Sequence, residues 1–162
     1  RLAIEFHSFE DHERGGLLLT DDTGYNTFQN ILHYFRTRPD QNDLPVTLLV
    51  RLRRICLFKK VDIRDYTLVF YLWQTEDFPE RVFQFFVEWD PSSLVQTDED
   101  GWYPLYWATR TSIRGFTIVL RYIIRYYPFQ KGICLLFRKD NDGDIPFQSA
   151  CRKHGRTKVM EI

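Results

Sequence analysis

The sequence contains few cysteines, and they form no recognisable pattern. Cys56, Cys134 and Cys151 are odd in number and far apart, without a Cys-x-x-Cys pair. A disulfide framework needs paired cysteines and an oxidising compartment. We therefore expect an intracellular protein, in the cytoplasm or the nucleus, with reduced thiols.

An excess of one charge and a long apolar run are also missing. The 22 basic and 22 acidic side chains cancel, which argues against a dedicated binder of nucleic acids or membrane surfaces. The most apolar stretch, residues 116–124, contains Arg121 and is followed by Arg125, so it is too short and too charged to cross a bilayer. We expect no membrane association.

Aromatic residues, by contrast, are abundant: fourteen Phe, nine Tyr and four Trp make up 17% of the chain. Such rings either fill a core or anchor an interface, and composition does not separate the two uses. The length of 162 residues predicts one domain over residues 1–162. Because the sequence starts with Arg1 rather than Met and stops inside a predicted helix, we expect a fragment of a longer protein.

The clearest organising feature is an internal repeat. Residues 98–108 and 140–150 match at five positions, namely Asp, Gly, Pro, a large apolar residue and Ala, with an offset of 42. A weaker copy lies at residues 21–31, and a more eroded one at residues 65–71. The large apolar position marks all four copies: Phe28, Leu68, Leu105 and Phe147. Such near-regular spacing is typical of repeat architectures.

Each copy predicts a turn followed by a short helix. The Asp-x-x-Gly segment is turn chemistry, since Asp accepts nearby backbone N–H groups and Gly adopts a positive φ. Pro104 and Pro146 suit the first turn of a helix, where a missing N–H costs nothing. The small Ala that follows allows close packing against a neighbouring helix.

A second, longer helix is predicted after each short one. Apolar residues at helical spacing occupy residues 44–55, 78–90 and 115–127, and the pattern starts again at residue 155. Pro91 and Pro128 predict two helix ends. We expect an extended link from each long helix to the next turn, with a strand or a helical turn added at residues 132–137. The predicted core contains Phe86, Leu105, Ala108, Val119, Leu120, Ile123, Phe147 and Ala150.

This unit resembles the ankyrin repeat, whose signature is Asp-x-x-Gly-x-Thr-Pro-Leu-His-x-Ala before a second helix. The segment Val-Glu-Trp-Asp-Pro-Ser-Ser-Leu at residues 87–94, followed by residues 98–108, resembles divergent, diatom-type ankyrin repeats. The resemblance implies an all-α, ankyrin-like helical-repeat solenoid of about four helix-turn-helix repeats with short β-like turns. The repeats are predicted at residues 21–60, 61–97, 98–139 and 140–162, the last incomplete. Where the family has His, this chain has Gln29, Val69, Tyr106 and Gln148.

The resemblance also implies a function, because ankyrin repeats bind partner proteins on a concave face formed by turn tips and first helices. We therefore expect a monomeric protein-interaction module that is not an enzyme and needs no cofactor. Trp102 is either an exposed hot-spot anchor or a ring packed on the neighbouring turn through Tyr25 or Tyr66. Carried over position by position, the partner-binding residues are Tyr25, Asp65, Glu99, Asp100, Trp102, Arg110, Asn141, Asp144, Arg152 and Lys153.

Two other functions remain open. The basic clusters at residues 51–60 and 152–158 predict binding of nucleic acid or another anionic ligand, with a steep salt dependence. The chain is alternatively a structural spacer in a larger multidomain protein. A calcium loop at Asp140 is disfavoured because Ile145 and Cys151 stand where Gly and Glu are needed. A Cys151–His154 catalytic pair lacks an orienting acid and an oxyanion donor.

Overall fold

The computed structural model describes residues 14–36, 43–74 and 78–162. All regular secondary structure in these ranges is helical, which confirms the all-α class. No helix in the described ranges has the length and apolarity that a bilayer crossing requires. The α-helices are α1 Thr27–Arg36, α2 Asp43–Arg54, α3 Lys60–Asp65, α4 Glu80–Trp89, α5 Pro104–Thr111, α6 Ile113–Tyr126, α7 Gln130–Cys134, α8 Pro146–His154 and α9 Arg156–Met160. The 3₁₀ helices are η1 Arg14–Gly16, η2 Leu68–Gln74, η3 Pro91–Val95 and η4 Leu135–Phe137.

The helix ends follow the local chemistry of the sequence. Helices α5 and α8 begin at Pro104 and Pro146, as predicted, and α4 and α6 end just before Pro91 and Pro128. Helix α6 begins earlier than the sequence pattern indicated, because the Ser112 hydroxyl accepts the Gly115 N–H at 3.0 Å and caps it.

The elements pack in two series. The short helices that follow the turns contact one another in chain order, with α1 on η2, η2 on α5 and α5 on α8. Among the longer helices, α2 contacts α4 and α4 contacts α6. One cluster of buried apolar side chains runs between them and includes Phe28, Phe83 and Phe116. Within each series, the helices contact their neighbours in chain order.

The predicted core is largely correct. Seven of its eight residues are buried: Phe86, Leu105, Ala108, Val119, Leu120, Ile123 and Ala150. Phe147 is only half-buried, and its ring lies 5.6 Å from that of Phe137, whose side chain is 54% exposed. Phe147 therefore packs against the core from its edge and is not enclosed in it.

The prediction of extended links between repeats is also wrong. Helix α3, helix η3 and the pair α7–η4 occupy much of these segments. Asp90 caps η3 by accepting the Ser92 N–H at 3.3 Å and the Ser92 hydroxyl at 2.6 Å. At residues 132–137 the chain is helical rather than a strand. Gly132 is needed there, because a Cβ would lie 2.3 Å from the Tyr127 carbonyl oxygen.

The eroded second copy departs most from the predicted unit. Asp65 is the last residue of α3 and does not begin a turn. In the other three copies the turn Asp precedes the apolar mark by seven residues, whereas Asp65 precedes Leu68 by three. Thr67 adopts the positive φ of +49°, and the short helix that follows is the 3₁₀ helix η2. Leu68 itself is fully buried, as the repeat predicts for its apolar mark.

Candidate partner-binding site

Three turns share one hydrogen-bond pattern, at residues 21–25, 98–102 and 140–144, and the last two of them border the candidate site. In each, Oδ1 of the first Asp accepts the N–H groups two and four residues later, over distances of 2.8–3.2 Å. The backbone N–H of the same Asp donates to the carbonyl four residues later, at 2.9–3.1 Å. The turns are thus equivalent in structure as well as in sequence.

A glycine with a positive φ closes each of these turns: Gly24 at +82°, Gly101 at +79° and Gly143 at +83°. Gly101 has a second role, because the Asn141 side chain of the next turn lies against it. A Cβ on residue 101 would come within 2.6 Å of Asn141 Oδ1, whereas a Cβ on Gly24 or Gly143 would meet nothing within 4 Å. The third and fourth turns therefore stack directly on each other.

The second carboxylate oxygen of each turn Asp distinguishes the three turns. Asp98 Oδ2 accepts the Trp107 indole N–H at 2.7 Å, while Asp140 Oδ2 is buried and accepts no hydrogen bond from the described residues. Asp21 is hydrogen-bonded by the Thr23 hydroxyl and by Asn30, and these bonds lower the pKa of its carboxyl to about 2.

An open groove of about 640 Å³ lies between the third and fourth repeats. Helix α5 and helix α8, which contact each other, supply its base, and the third and fourth turns contribute Trp102, Asp142 and Asp144. We call this the α5–α8 groove. Its lining residues are Trp102, Tyr106, Arg110, Asp142, Asp144, Ser149, Arg152 and Lys153.

Aromatic rings of the third repeat form one part of this groove. The Trp102 ring is half-buried, with its centroid 5.0 Å from that of Tyr106 and 5.1 Å from that of Trp107. The Arg110 guanidinium lies over the Trp102 ring at 5.1 Å, a cation–π distance. The ring contacts that the structure describes for Trp102 are therefore with its own repeat and not with Tyr25 or Tyr66. Trp102 is half-buried, and its role as an interface anchor stays a prediction.

Charged groups of both signs line the rest of the groove. Asp144 Oδ2 accepts a hydrogen bond from Arg152 at 2.8 Å and a long one from the Tyr106 hydroxyl at 3.5 Å. The hydrogen bond between Arg152 and Asp144 raises the pKa of Arg152. Burial raises the pKa of Tyr106, and the negative charges of Asp140 and Asp144 raise it further. Lys153 Nζ donates to the backbone carbonyl of Arg110, which links α8 to the last turn of α5.

Buried polar contacts hold the two helices of the groove together. The Thr109 hydroxyl lies 3.0 Å from the Ser149 hydroxyl, and a His154 ring nitrogen lies 2.9 Å from the Thr109 carbonyl oxygen. Cys151 is half-buried and packs against the core. His154 and Cys151 thus take part in the α5–α8 packing. Across the described residues, no group of three or more His, Cys, Asp and Glu side chains is placed to hold a metal ion.

The structure brings half of the predicted partner-binding residues together. Those that line the α5–α8 groove are Trp102, Arg110, Asp144, Arg152 and Lys153. Glu99 and Asp100 are exposed at the third turn but outside the lining, and Asn141 packs on Gly101.

The two earliest predicted residues lie in other repeats. Tyr25 contacts Tyr71 edge-on at 5.7 Å and lies 6.4 Å from the His33 ring, and Asp65 is exposed at the end of α3. Their environments do not include the α5–α8 groove.

Sequence analysis missed three lining residues, namely Tyr106, Asp142 and Ser149. A signal was available for Tyr106, because it occupies the His position of the repeat, and its hydroxyl reaches the next turn at Asp144. Gln29, at the same position of the first copy, also reaches forward and donates to the Tyr66 carbonyl at 3.3 Å. The residue at this position therefore links successive repeats in both copies.

The basic clusters are exposed but partly engaged. In the first, the Arg53 guanidinium lies 4.2 Å above the Trp89 ring and Lys60 lies 3.6 Å from the buried Asp90 carboxylate. In the second, Arg152 and Lys153 belong to the α5–α8 groove.

Comparisons of the chain with protein-family models, with curated proteins and with solved structures found no match.

Proposed function

We propose that this chain is a protein-interaction module, built as an ankyrin-like array of helical repeats, that binds a partner protein in the α5–α8 groove. In this proposal it has no catalytic activity, requires no cofactor and acts as a monomer inside the cell. The observation that carries it is the convergence of Trp102, Arg110, Asp144, Arg152 and Lys153 in one groove. These residues belong to two successive repeats.

The repeated turn supports the ankyrin-like architecture. Three turns share one hydrogen-bond pattern, and the helices α5 and α8 after two of them begin with proline. The short helices contact one another in chain order, as stacked repeats require.

The composition of the groove supports an interface. Trp, Tyr and Arg are the residues that most often dominate the energetics of protein interfaces. Here Trp102 is half-buried and contacts both the buried Tyr106 and the exposed Arg110. Such a mixture of anchored rings and solvent-facing charge differs from a closed core.

Preorganisation supports it further. Three contacts join the two sides of the groove in the absence of a partner. Thr109 contacts Ser149, His154 contacts the Thr109 carbonyl, and Lys153 donates to the Arg110 carbonyl. A groove whose side chains are already ordered loses less conformational entropy on binding.

The proposal is tested by affinity capture from a cell lysate, with the partner identified and its affinity then measured with purified components. The parent chain is compared with an Arg110→Ala, Lys153→Ala variant and with an Arg121→Ala, Lys158→Ala control. All four residues are exposed, and the control pair lies outside the groove lining. Circular dichroism confirms equal helicity in the three proteins.

We expect a protein that the parent and the control retain and that the groove variant loses. If all three proteins capture the same set, or capture nothing, the groove is not the partner site and the spacer function is favoured instead. If the captured material is nucleic acid, and its binding weakens steeply as salt rises, the basic-cluster function is favoured.

A further inference from the structure

The lining of the α5–α8 groove contains three cations and two carboxylates. Asp144 accepts hydrogen bonds from Arg152 and from the Tyr106 hydroxyl, so the charges of Asp144 and Arg152 offset each other. Among the described residues, Asp142 forms no ion pair, and Arg110 and Lys153 have no carboxylate partner. The groove therefore offers an incoming segment more positive charge than negative charge.

The sequence around the groove contains charges of both signs. Its two turns carry Asp98, Glu99, Asp100 and Asp140, which lie outside the lining, whereas the helices carry cations. From Gly101 to Lys139 the chain contains no Asp or Glu, although the whole chain is neutral. This stretch includes all of α5 and α6, so neither helix supplies a carboxylate to the groove. It carries seven basic residues: Arg110, Arg114, Arg121, Arg125, Lys131, Arg138 and Lys139. Glu80 and Glu88 pair with Arg114 at 3.0 Å and with Arg125 at 3.9 Å, and so cancel part of this charge.

The two cations of the groove that lack a carboxylate partner are fixed by different contacts. Lys153 Nζ donates to the backbone carbonyl of Arg110, and the Arg110 guanidinium lies over the Trp102 ring. An ammonium group has three donors and a guanidinium has five, so both groups retain donors for a ligand. A guanidinium over an aromatic ring keeps its N–H edge available for a carboxylate.

The aromatic part of the groove lies beside these cations. Trp102 and Tyr106 are in ring contact at 5.0 Å, and Trp102 is half-buried rather than enclosed. An apolar or aromatic side chain packed on the exposed part of Trp102 would lie next to a carboxylate bound by Arg110. The groove is open to solvent and receives residues from two turns and two helices, which suits a segment of a protein better than an enclosed small molecule.

We infer that the α5–α8 groove takes an extended acidic segment of a partner protein, with a carboxylate between Arg110 and Lys153 and a neighbouring apolar or aromatic side chain on Trp102. This inference rests on the proposed function and adds the chemistry of the partner. A basic segment fits less well, because Asp142 is the one lining carboxylate without a cation partner among the described residues.

The test is selection of peptides from a library of random twelve-residue segments on the whole chain, repeated with an Arg110→Glu, Lys153→Glu variant. An Arg121→Glu, Lys158→Glu variant, which makes the same charge change outside the groove, is the matched control. Circular dichroism shows whether the charge-reversal variant is folded. If it is not, an Arg110→Gln, Lys153→Gln variant, which removes the two charges without reversing them, is used in its place.

We expect the parent and the control to select peptides rich in Asp and Glu next to Phe, Trp, Tyr or Leu. For the leading acidic peptide, charge reversal in the groove raises the dissociation constant at least about 10-fold, because the attraction between peptide and groove becomes repulsion. The Gln variant raises it less. Raising NaCl from 50 mM to 500 mM weakens binding to the parent several-fold, on the order of 5-fold, by screening.

Two results would overturn the inference. Selection of Lys- and Arg-rich peptides whose binding is lost in an Asp142→Lys variant would show that the groove prefers basic segments, which leaves the proposed function intact. Peptides of any charge that bind the parent and the groove variant equally, or no enrichment at all, would reject acidic recognition in the groove. In that case the lysate capture decides separately whether the groove binds a partner at all.

Discussion

Two segments of the chain can be compared directly: the third turn, residues 98–102, and the equivalent segment of the second repeat, residues 61–67. Each precedes a short helix, and these two helices, α5 and η2, contact each other. The third turn has Asp, Gly and a following Pro, and it folds into a hydrogen-bonded turn before helix α5. The second lacks Gly and Pro, and helix α3 runs to Asp65 before Thr67 turns the chain with φ +49°. Leu105 and Leu68 are nevertheless both fully buried.

This difference shows that a buried apolar residue after the turn is enough to keep the short helix in its place in the chain order. The turn residues decide only the local backbone geometry. Where the turn chemistry is lost, buried charges replace it. Asp62 is almost fully buried, accepts the Lys59 N–H at 2.6 Å and pairs with Arg14. Asp90 is equally buried, with Arg64 3.1 Å and Lys60 3.6 Å away. The second repeat therefore depends on ion pairs between segments, and the third on a local turn.

The largest expected effect comes from removing the turn carboxylate. We predict that Asp98→Ala lowers the free energy of unfolding by about 3 kcal/mol, because two backbone N–H groups and the Trp107 indole N–H lose their acceptor. Asp140→Ala is the matched control. It loses the two backbone bonds but no indole bond, so we expect about 2 kcal/mol. Denaturant unfolding measures both, and equal losses would contradict a structural role for the Asp98–Trp107 bond.

The stacking of the third turn on the fourth is tested with glycine. Gly143→Ala forces an alanine into a positive φ with free space around its Cβ, so we expect a loss of about 1 kcal/mol. Gly101→Ala adds a collision with Asn141, so we expect about 2 kcal/mol. Chemical denaturation of the two variants gives the difference. Adding Asn141→Ala to Gly101→Ala should remove most of the extra loss, and a difference that persists would argue against the turn-on-turn contact.

Introducing a glycine at the positive-φ position of the second repeat tests the same comparison in the opposite direction. We predict that Thr67→Gly stabilises the chain by about 1 kcal/mol or slightly less, because a β-branched residue at φ +49° is strained and glycine is not. Thr97→Gly is the control. Thr97 does not adopt a positive φ, so the glycine there only increases the entropy of the unfolded chain and should destabilise it. Equal shifts of the unfolding midpoint in both variants would contradict the proposed backbone strain at Thr67.

The smallest effect concerns acid. Hydrogen bonds from Thr23 and Asn30 lower the pKa of Asp21 from 3.8 to about 2 in the folded chain. Above pH 3.8 the carboxylate is ionised in the folded and unfolded states and its stabilisation is fully present. Between pH 3.8 and about pH 2 the unfolded state binds the proton first, so this stabilisation is lost as the pH falls. Stability measured across this window should fall less steeply in Asp21→Asn, and NMR titration of the Asp21 carboxyl checks the pKa directly.

The accuracy of the sequence predictions depended on how local the responsible interactions are. The proline helix starts, the proline stops and the glycine turns were predicted because each is decided by one residue and its immediate neighbours. The extended links were wrong because Asp90 and Asp62 cap short helices there. Asp65 was misassigned because the second repeat has no glycine to identify the turn register.

For the candidate site, the resemblance to a repeat family selected Trp102, Arg110, Asp144, Arg152 and Lys153, which the structure brings together. It also selected Tyr25 and Asp65, which lie elsewhere, because a repeat pattern treats all copies as equal. Their surroundings depend on which side chains the neighbouring repeat supplies, such as Tyr71 beside Tyr25.

The sequence by itself determined the all-α class, the turns with their glycines and the ends of most helices, because these follow from backbone preferences and local hydrogen bonds. Only the tertiary structure decided that Trp102 packs on its own repeat and that Lys153 reaches the Arg110 carbonyl. It also showed that Asp144 pairs with Arg152, which leaves Arg110, Lys153 and Asp142 as the unpaired charges of the groove among the described residues. These properties depend on how helix α8 lies against helix α5, and that placement comes from packing between residues distant in the chain.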